Sequence, residues 1–246
     1  MRPLEGMRVL VTRPKTQSAD LIERLESHGA VALLLPAMEI VGLEDNSLLL
    51  VALADLNTFD WIIFTSVNGV TAVHQLVKSI PESVRIAAVG PSTGLAVDEA
   101  FRKPDAMPDE FIADAIGAVL GNVAGKRILL ARADIARKEI VKELTDKGAE
   151  VHDVAAYRIV RSTSGSLEGK PDVITATSSS SVLNTLQNLT DMGHKDWALE
   201  TPWICIGPMT ADTARSHGCK VAQMASEYTA EGLVTALVAF AKGVAV

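Results

Sequence analysis

Asp60-Trp61-Ile62-Ile63-Phe64-Thr65-Ser66 and Asp172-Val173-Ile174-Thr175-Ala176-Thr177-Ser178 carry the same pattern 112 positions apart. In each, an acid opens the run, four residues of strand-forming or small type follow, and Thr-Ser closes it. A run this short and apolar, bounded by polar residues, reads as a strand buried on both faces. Strands of that kind belong to parallel sheets flanked by helices. Their recurrence points to a longer repeat.

That repeat is present. Arg8-Val9-Leu10-Val11-Thr12-Arg13 matches Arg127-Ile128-Leu129-Leu130-Ala131-Arg132 at an offset of 119, and Leu25 then falls on Leu144, Gly29-Ala30 on Gly148-Ala149 and Ile40 on Ile159. Val89-Gly90-Pro91-Ser92-Thr93 matches Ile206-Gly207-Pro208-Met209-Thr210 at 117, and Phe111–Ile116 meets Tyr228–Leu233 at the same offset. Chance supplies one such match, hardly four in the same order. The chain is a duplication with halves of about 1–122 and 123–246.

Each half alternates strand and helix. MRVLVT is a strand, and ADLIERLESHG is a helix whose Leu21, Ile22 and Leu25 follow the 3.6-residue period, with Gly29 as its stop. AVALLLP and DWIIFTS are strands, a helix runs from Val70 to about Val77, RIAAVG is a strand, and a helix follows from Ser92 or Thr93 to about Phe101. The fold class is α/β, doubly wound, with parallel sheets.

Composition excludes several functions. The 246 residues carry a net charge of −7, and the pI is near 5.3, which argues against a nucleic-acid or anionic-membrane binder. The N-terminus has no apolar signal core, and no stretch approaches the ~18 residues that span a bilayer. A cytoplasmic protein that meets no membrane is expected. Of the two cysteines, Cys205 lies in the apolar run WICI, so buried reduced thiols are expected.

In doubly wound folds ligands bind at the carboxyl ends of the strands, where strand order reverses. Those ends here hold Thr12-Arg13, Thr65-Ser66-Val67-Asn68-Gly69 and Gly90-Pro91-Ser92-Thr93. The second half holds Arg132, Thr177-Ser178-Ser179-Ser180-Ser181 and Gly207-Pro208-Met209-Thr210. Small hydroxyl residues and glycine at strand–helix junctions leave helix N-terminal N–H groups open to anions, although the same residues serve as ordinary N-caps. Arg13 and Arg132 occupy duplicate places, either as carboxylate clamps or as members of structural ion pairs. There is no G-x-G-x-x-G, P-loop, nucleophile elbow or metal-ligand spacing among the five histidines. No cofactor and no metal are expected, and an enzyme built this way works mainly by positioning.

Together these motifs resemble the uroporphyrinogen-III synthase family. The resemblance is carried by Val11–Pro14, Ile63–Val70, Val89–Thr93, Arg132 with Arg137, Ala156-Tyr157-Arg158, Thr177–Ser180, Ile206–Ala211 and Tyr228–Leu233, and runs from about 7 to 240. One departure is Asp114-Ala115-Ile116 where the second half has Glu-Gly-Leu. The resemblance implies two flavodoxin-like lobes, 1–36 plus 160–246 and 41–155, joined by extended connectors at 37–40 and 156–159 that act as a hinge. It implies cyclisation of hydroxymethylbilane to uroporphyrinogen III with inversion of ring D, by a cofactor-free monomer. It also implies that Tyr157 is catalytic and assists departure of the terminal hydroxyl, the alternative being an aromatic packed at the hinge. Substrate contacts are expected from Thr12, Arg13, Ser66, Asn68, Gly69, Gly90, Thr93, Arg132, Arg137, Thr177, Ser178, Ser179, Ser180, Gly207 and Thr210. A non-catalytic two-lobed module that binds a small anion is the alternative.

Overall fold

The computed structural model describes residues 2–108 and 116–244. Two compact units divide the chain, one of Met1–Glu39 with Val160–Val246 and the other of Ile40–Ile159.

In chain order the strands and helices begin with β1 (Arg8–Val11), α1 (Ala19–Ser27), β2 (Val31–Leu34) and β3 (Met38–Val41). Next come α2 (Ser47–Ala54), β4 (Trp61–Phe64), α3 (Val67–Leu76), β5 (Arg85–Ala88), α4 (Pro91–Ala100) and α5 (Ile116–Val119). After these follow β6 (Arg127–Ala133), α6 (Glu139–Asp146), β7 (Glu150–Arg161), β8 (Val173–Ala176) and α7 (Ser179–Asp191). The chain finishes with α8 (Lys195–Glu200), β9 (Pro202–Cys205), α9 (Pro208–Ser216), β10 (Lys220–Met224) and α10 (Ala230–Ala241). α3 starts at Val67, three residues before the sequence reading placed it, because Ser66 caps it. The matched segment Phe111–Ala115 lies outside the described residues.

In the first unit the sheet order is β10-β9-β8-β1-β2, with every neighbouring pair parallel. Numbered within the unit this is 2-1-3-4-5, the flavodoxin-like order, and its switch point lies between β1 and β8. The second sheet runs β3-β7-β6-β4-β5, and its switch point lies between β6 and β4.

Strand register repeats the sequence offsets. Val9 pairs with Val173 in one sheet and Ile128 with Trp61 in the other; Val11 pairs with Leu34 and Leu130 with Asp153. Central strands are buried on both faces. Ile62 and Phe64 of β4 join the cluster that holds Leu129, Val70 and Val97, while Trp61 and Ile63 join that of Ile128, Ile140 and Leu144. In the first unit Val9 and Val11 face α1 and α10, and Leu10 faces the opposite cluster with Trp203. β2 and β10 depart from the both-faces reading, since as outer strands they are only half covered. Gly29 and Gly148 end α1 and α6 with φ of 93° and 85°, the left-handed conformation that makes glycine the stop residue in both copies.

Among the described residues no helix is long and apolar enough to cross a membrane. Cys205 and Cys219 are free and buried; burial pushes their thiols up to about 12 and about 11, which keeps them protonated and unreactive.

Candidate active site

In the second unit the switch point is assembled from β4, α3, β6 and β7. Ser66 follows β4 in extended conformation and caps α3, its Oγ accepting from the Gly69 N–H at 3.2 Å. A Cβ on Gly69 would stand 2.6 Å from the Ala131 carbonyl oxygen. Only glycine therefore lets the first turn of α3 lie against the end of β6. Asn68 is half-exposed in that turn.

β7 brings Tyr157 to the same place through a β-bulge. Arg132 pairs with Ala155, but Ala133 pairs with Tyr157, so Ala156 is the extra residue. A bulge breaks the two-residue alternation, and Ala156 and Tyr157 both enter the cluster of Phe64, Val70, Leu129 and Ala131. In a regular strand Tyr157 would share the face of Asp153 and Ala155. Its ring is 6% exposed, and its hydroxyl meets Ser66 Oγ at 2.9 Å.

Arg132 does not stand ready for a ligand. It is 4% exposed, its Nε and Nη2 donate to the two oxygens of Asp153 at 2.6 and 2.9 Å, and Nη1 donates to the Arg137 carbonyl at 2.6 Å. Of its two expected roles, the geometry selects the structural ion pair. Burial alone would raise the Asp153 carboxyl, but hydrogen bonds from Arg132 and Lys138, with their charges, hold it below the usual carboxylate range. Arg137 itself is exposed. At the third junction Gly90 adopts φ 86°, which demands glycine, ahead of Pro91 at the first position of α4, and Thr93 is buried.

In the first unit the duplicate switch point lies between β1 and β8. Thr12 is buried, and its hydroxyl donates to the Thr175 carbonyl at 2.8 Å while Thr175 Oγ1 donates to the Leu10 carbonyl at 2.9 Å. These two bonds lace the strands together, so the Thr12 hydroxyl proton is committed to the sheet. Arg13 is half-buried, with no ion-pair partner among the described residues. Its counterpart of Asp153 is Leu34, by the matching registers.

The serine run divides its labour. Ser178 and Ser181 form a capping box on α7, and Ser181 Oγ also accepts from the Thr177 and Ser178 N–H groups at 3.2 and 3.1 Å. Ser179 Oγ lies 2.7 Å from Thr213 Oγ1, tying α7 to α9, and Ser180 is exposed. Gly207 is extended, so its backbone permits any residue. The constraint is the Tyr228 ring, three of whose atoms would lie 3.0–3.5 Å from a Cβ there. Tyr228 is 68% exposed and Met209 is 81% exposed, while Thr210 is buried in the first turn of α9. Among the described residues no group of three His, Cys, Asp or Glu could hold a metal ion.

A family model described as Uroporphyrinogen-III synthase HemD matches residues 19–235. The chain belongs to the uroporphyrinogen-III synthase family. It is 31% identical to the uroporphyrinogen-III synthase of Synechococcus elongatus over 98% of each chain. With that of Salmonella typhimurium it shares 27% identity, covering 94% of this chain and all of the other. Solved uroporphyrinogen III synthases from Thermus thermophilus and Helicobacter pylori share the fold. Their TM-scores are 0.60 and 0.61 at 16% identity, covering 97% and 95% of this chain and 100% and 99% of theirs.

Two features of this uroporphyrinogen-III synthase family member escaped the sequence reading. Asp153 was invisible because its partner is 21 residues away and joined only by the β6–β7 pairing. Tyr228 stands beside Gly207, a juxtaposition that only the fold creates.

Proposed function

We propose that this chain cyclises hydroxymethylbilane to uroporphyrinogen III, inverting ring D, without a metal or cofactor. The observation that carries this reading is the chemistry of the two switch points. Each offers helix first turns rich in N–H donors, the first adds Arg13, and the second adds the Ser66–Tyr157 pair. Such a surface suits a ligand with many carboxylates, such as a linear tetrapyrrole carrying eight of them. It provides restraint and hydrogen bonds in place of a strong acid or a nucleophile.

In the first step the pyrrole electron pair, pushed from nitrogen through the ring to the terminal methylene carbon, expels the hydroxyl. Hydroxide and the ring N–H proton depart together as water, leaving an azafulvene. Attack through the substituted carbon of ring D gives a spiro-pyrrolenine, which fragments and recloses with that ring inverted. The protein's task is to hold one reactive conformer of a flexible chain, an entropy-trap contribution. Within each unit by itself the candidate carboxylate contacts are Arg13, Ser180 and the N–H groups opening α7 and α9 in the first, and Asn68 and the N–H groups opening α3 and α4 in the second. The expected partner is this small molecule alone, with the protein acting as a monomer.

The test is incubation with enzymatically made hydroxymethylbilane, oxidation to porphyrin and isomer analysis, using chelator-treated protein. The asymmetric type III isomer is expected. Formation of the symmetric type I isomer alone would overturn the reading.

A further inference from the structure

We infer that the Ser66 hydroxyl, not the Tyr157 phenol, is the group that reaches the departing hydroxyl of the substrate, and that Tyr157 acts through Ser66. This inference rests on the proposed reaction for its substrate, but its geometry stands on the protein alone.

Protons and lone pairs at the junction fix the direction of each bond. A serine hydroxyl has one proton and two acceptor positions. The Gly69 N–H occupies one acceptor position of Ser66 Oγ. The phenol of Tyr157 is 2.9 Å from the same oxygen, which is its one hydrogen-bond partner among the described residues. Tyr157 belongs to the same buried cluster as Phe64, Val70, Leu129 and Ala131. If Ser66 donated to Tyr157, the phenol proton of a buried residue would be left without an acceptor, an arrangement proteins avoid. With Tyr157 as donor, both acceptor positions of Ser66 are filled, and its own proton is left to point out of the junction. Ser66 is half-exposed, which leaves that proton available to a ligand at the junction.

Two incoming hydrogen bonds polarise the serine O–H and strengthen the bond it donates. They also fix its direction. Gly69 is locked by its approach to the Ala131 carbonyl, and Tyr157 is brought to this face by the bulge at Ala156. Ser66 lends a hydrogen bond to the leaving oxygen and no proton is consumed, since the water that departs takes its second proton from the pyrrole nitrogen. Ser66 is thus the catalytic residue, and Tyr157 and Gly69 are positioning residues.

The sense of the hydrogen bond is read without turnover. Of the two tyrosines in the chain, Tyr228 is replaced by Phe, and the ring Fermi doublet of Tyr157 is recorded by resonance Raman. A donor phenol is expected. An acceptor phenol would overturn the inference while leaving the proposed reaction untouched.

Kinetics supply the second arm. Ser66→Ala should lower kcat by roughly ten- to a hundredfold. Adding Tyr157→Phe to it should change kcat less than twofold, while Tyr157→Phe alone should cost several-fold. If the double variant loses as much again as Tyr157→Phe does alone, Tyr157 contacts the substrate directly and the inference fails. Because Ser66 also caps α3, Ser66→Gly keeps the helix start at little cost but offers no side-chain donor, and Ser66→Thr keeps both cap and hydroxyl. Gly should be as slow as Ala with α3 intact, and Thr should recover most of kcat. A Gly variant with full activity would show that the hydroxyl is not needed and would sink the proposal.

Discussion

Arg132 and Arg13 stand at the same place in the two copies, each two residues after the strand position that pairs with Asp153 or Leu34. Arg132 is buried, doubly bonded to Asp153 and tied to the Arg137 carbonyl. Arg13 is half-buried, and the corresponding neighbour is apolar. The same split runs through the helix starts. α3 opens with Gly69 pressed on a strand carbonyl, whereas α7 has Ser181 at the matching position in a reciprocal cap. A duplicated junction has been divided into one locked by a buried ion pair in one unit and one whose arginine faces an apolar neighbour in place of an acid in the other. A buried arginine can be held charged only by a partner in place; the copy without one keeps its arginine nearer to water.

The largest expected effect probes the buried pair. Arg132→Ala strips Asp153 of its two guanidinium bonds and leaves it only the exposed Lys138, which should cost about 3 kcal/mol, or roughly 6–12 °C in melting temperature. Arg13→Ala should stay within about 0.5 kcal/mol of the parent. Equal losses in thermal unfolding would break the comparison. The pair also sets an acid limb. Because the folded carboxyl of Asp153 lies below its ordinary value of 3.8, its contribution is complete above that pH and is lost as pH falls through the lower folded value. Asp153→Asn should therefore flatten the stability–pH curve below about pH 4; an unchanged slope would place the acid sensitivity elsewhere.

Next in size is the effect on binding. Arg13→Ala should raise KM by roughly ten- to a hundredfold with kcat little changed, as for a clamp equally strong in ground and transition states. Leu34→Asp builds the missing partner beside Arg13 and should raise KM in the same way. If Leu34→Asp binds substrate as well as the parent does, the open arginine is not the difference that matters.

Gly69→Ala forces a methyl group against the Ala131 carbonyl and should destabilise by about 1–3 kcal/mol, while Ser181→Ala removes a capping box for about 1 kcal/mol. Urea titration of both variants ranks them, and a reversed order would mean that α3 can retreat from β6. The smallest change is Tyr228→Ala. It removes an exposed ring beside the first turn of α9 and should raise KM only several-fold, about 0.5–1.5 kcal/mol of lost ring contact, with no effect on folding.

Much of this molecule was legible before any coordinates. The offsets of 119, 112 and 117 reappear as matched strand registers, because two copies of one fold must pair equivalent residues. The junction residues were legible as chemistry but not as contacts. Thr12 and Arg13 are neighbours in sequence, yet one hydroxyl is sewn into the sheet and the guanidinium beside it is open. That outcome depends on which strand lies alongside, and Thr175 is 163 residues away. Ser66 and Tyr157 lie 91 residues apart, and nothing local joins them.

Alternation of apolar runs with helical periods, glycine stops and an internal repeat determined the α/β class and the places of most elements, since these follow from local sterics and from burying apolar surface. Tertiary structure alone decided the rest. The sheet order sets where the switch points fall, and the passage of the chain between units at 39–40 and 159–160 sets which segments share a sheet. A single extra residue at Ala156 turns Tyr157 toward Ser66. Each depends on pairing between strands far apart in the chain, and long-range pairing leaves no periodicity in the sequence to be read.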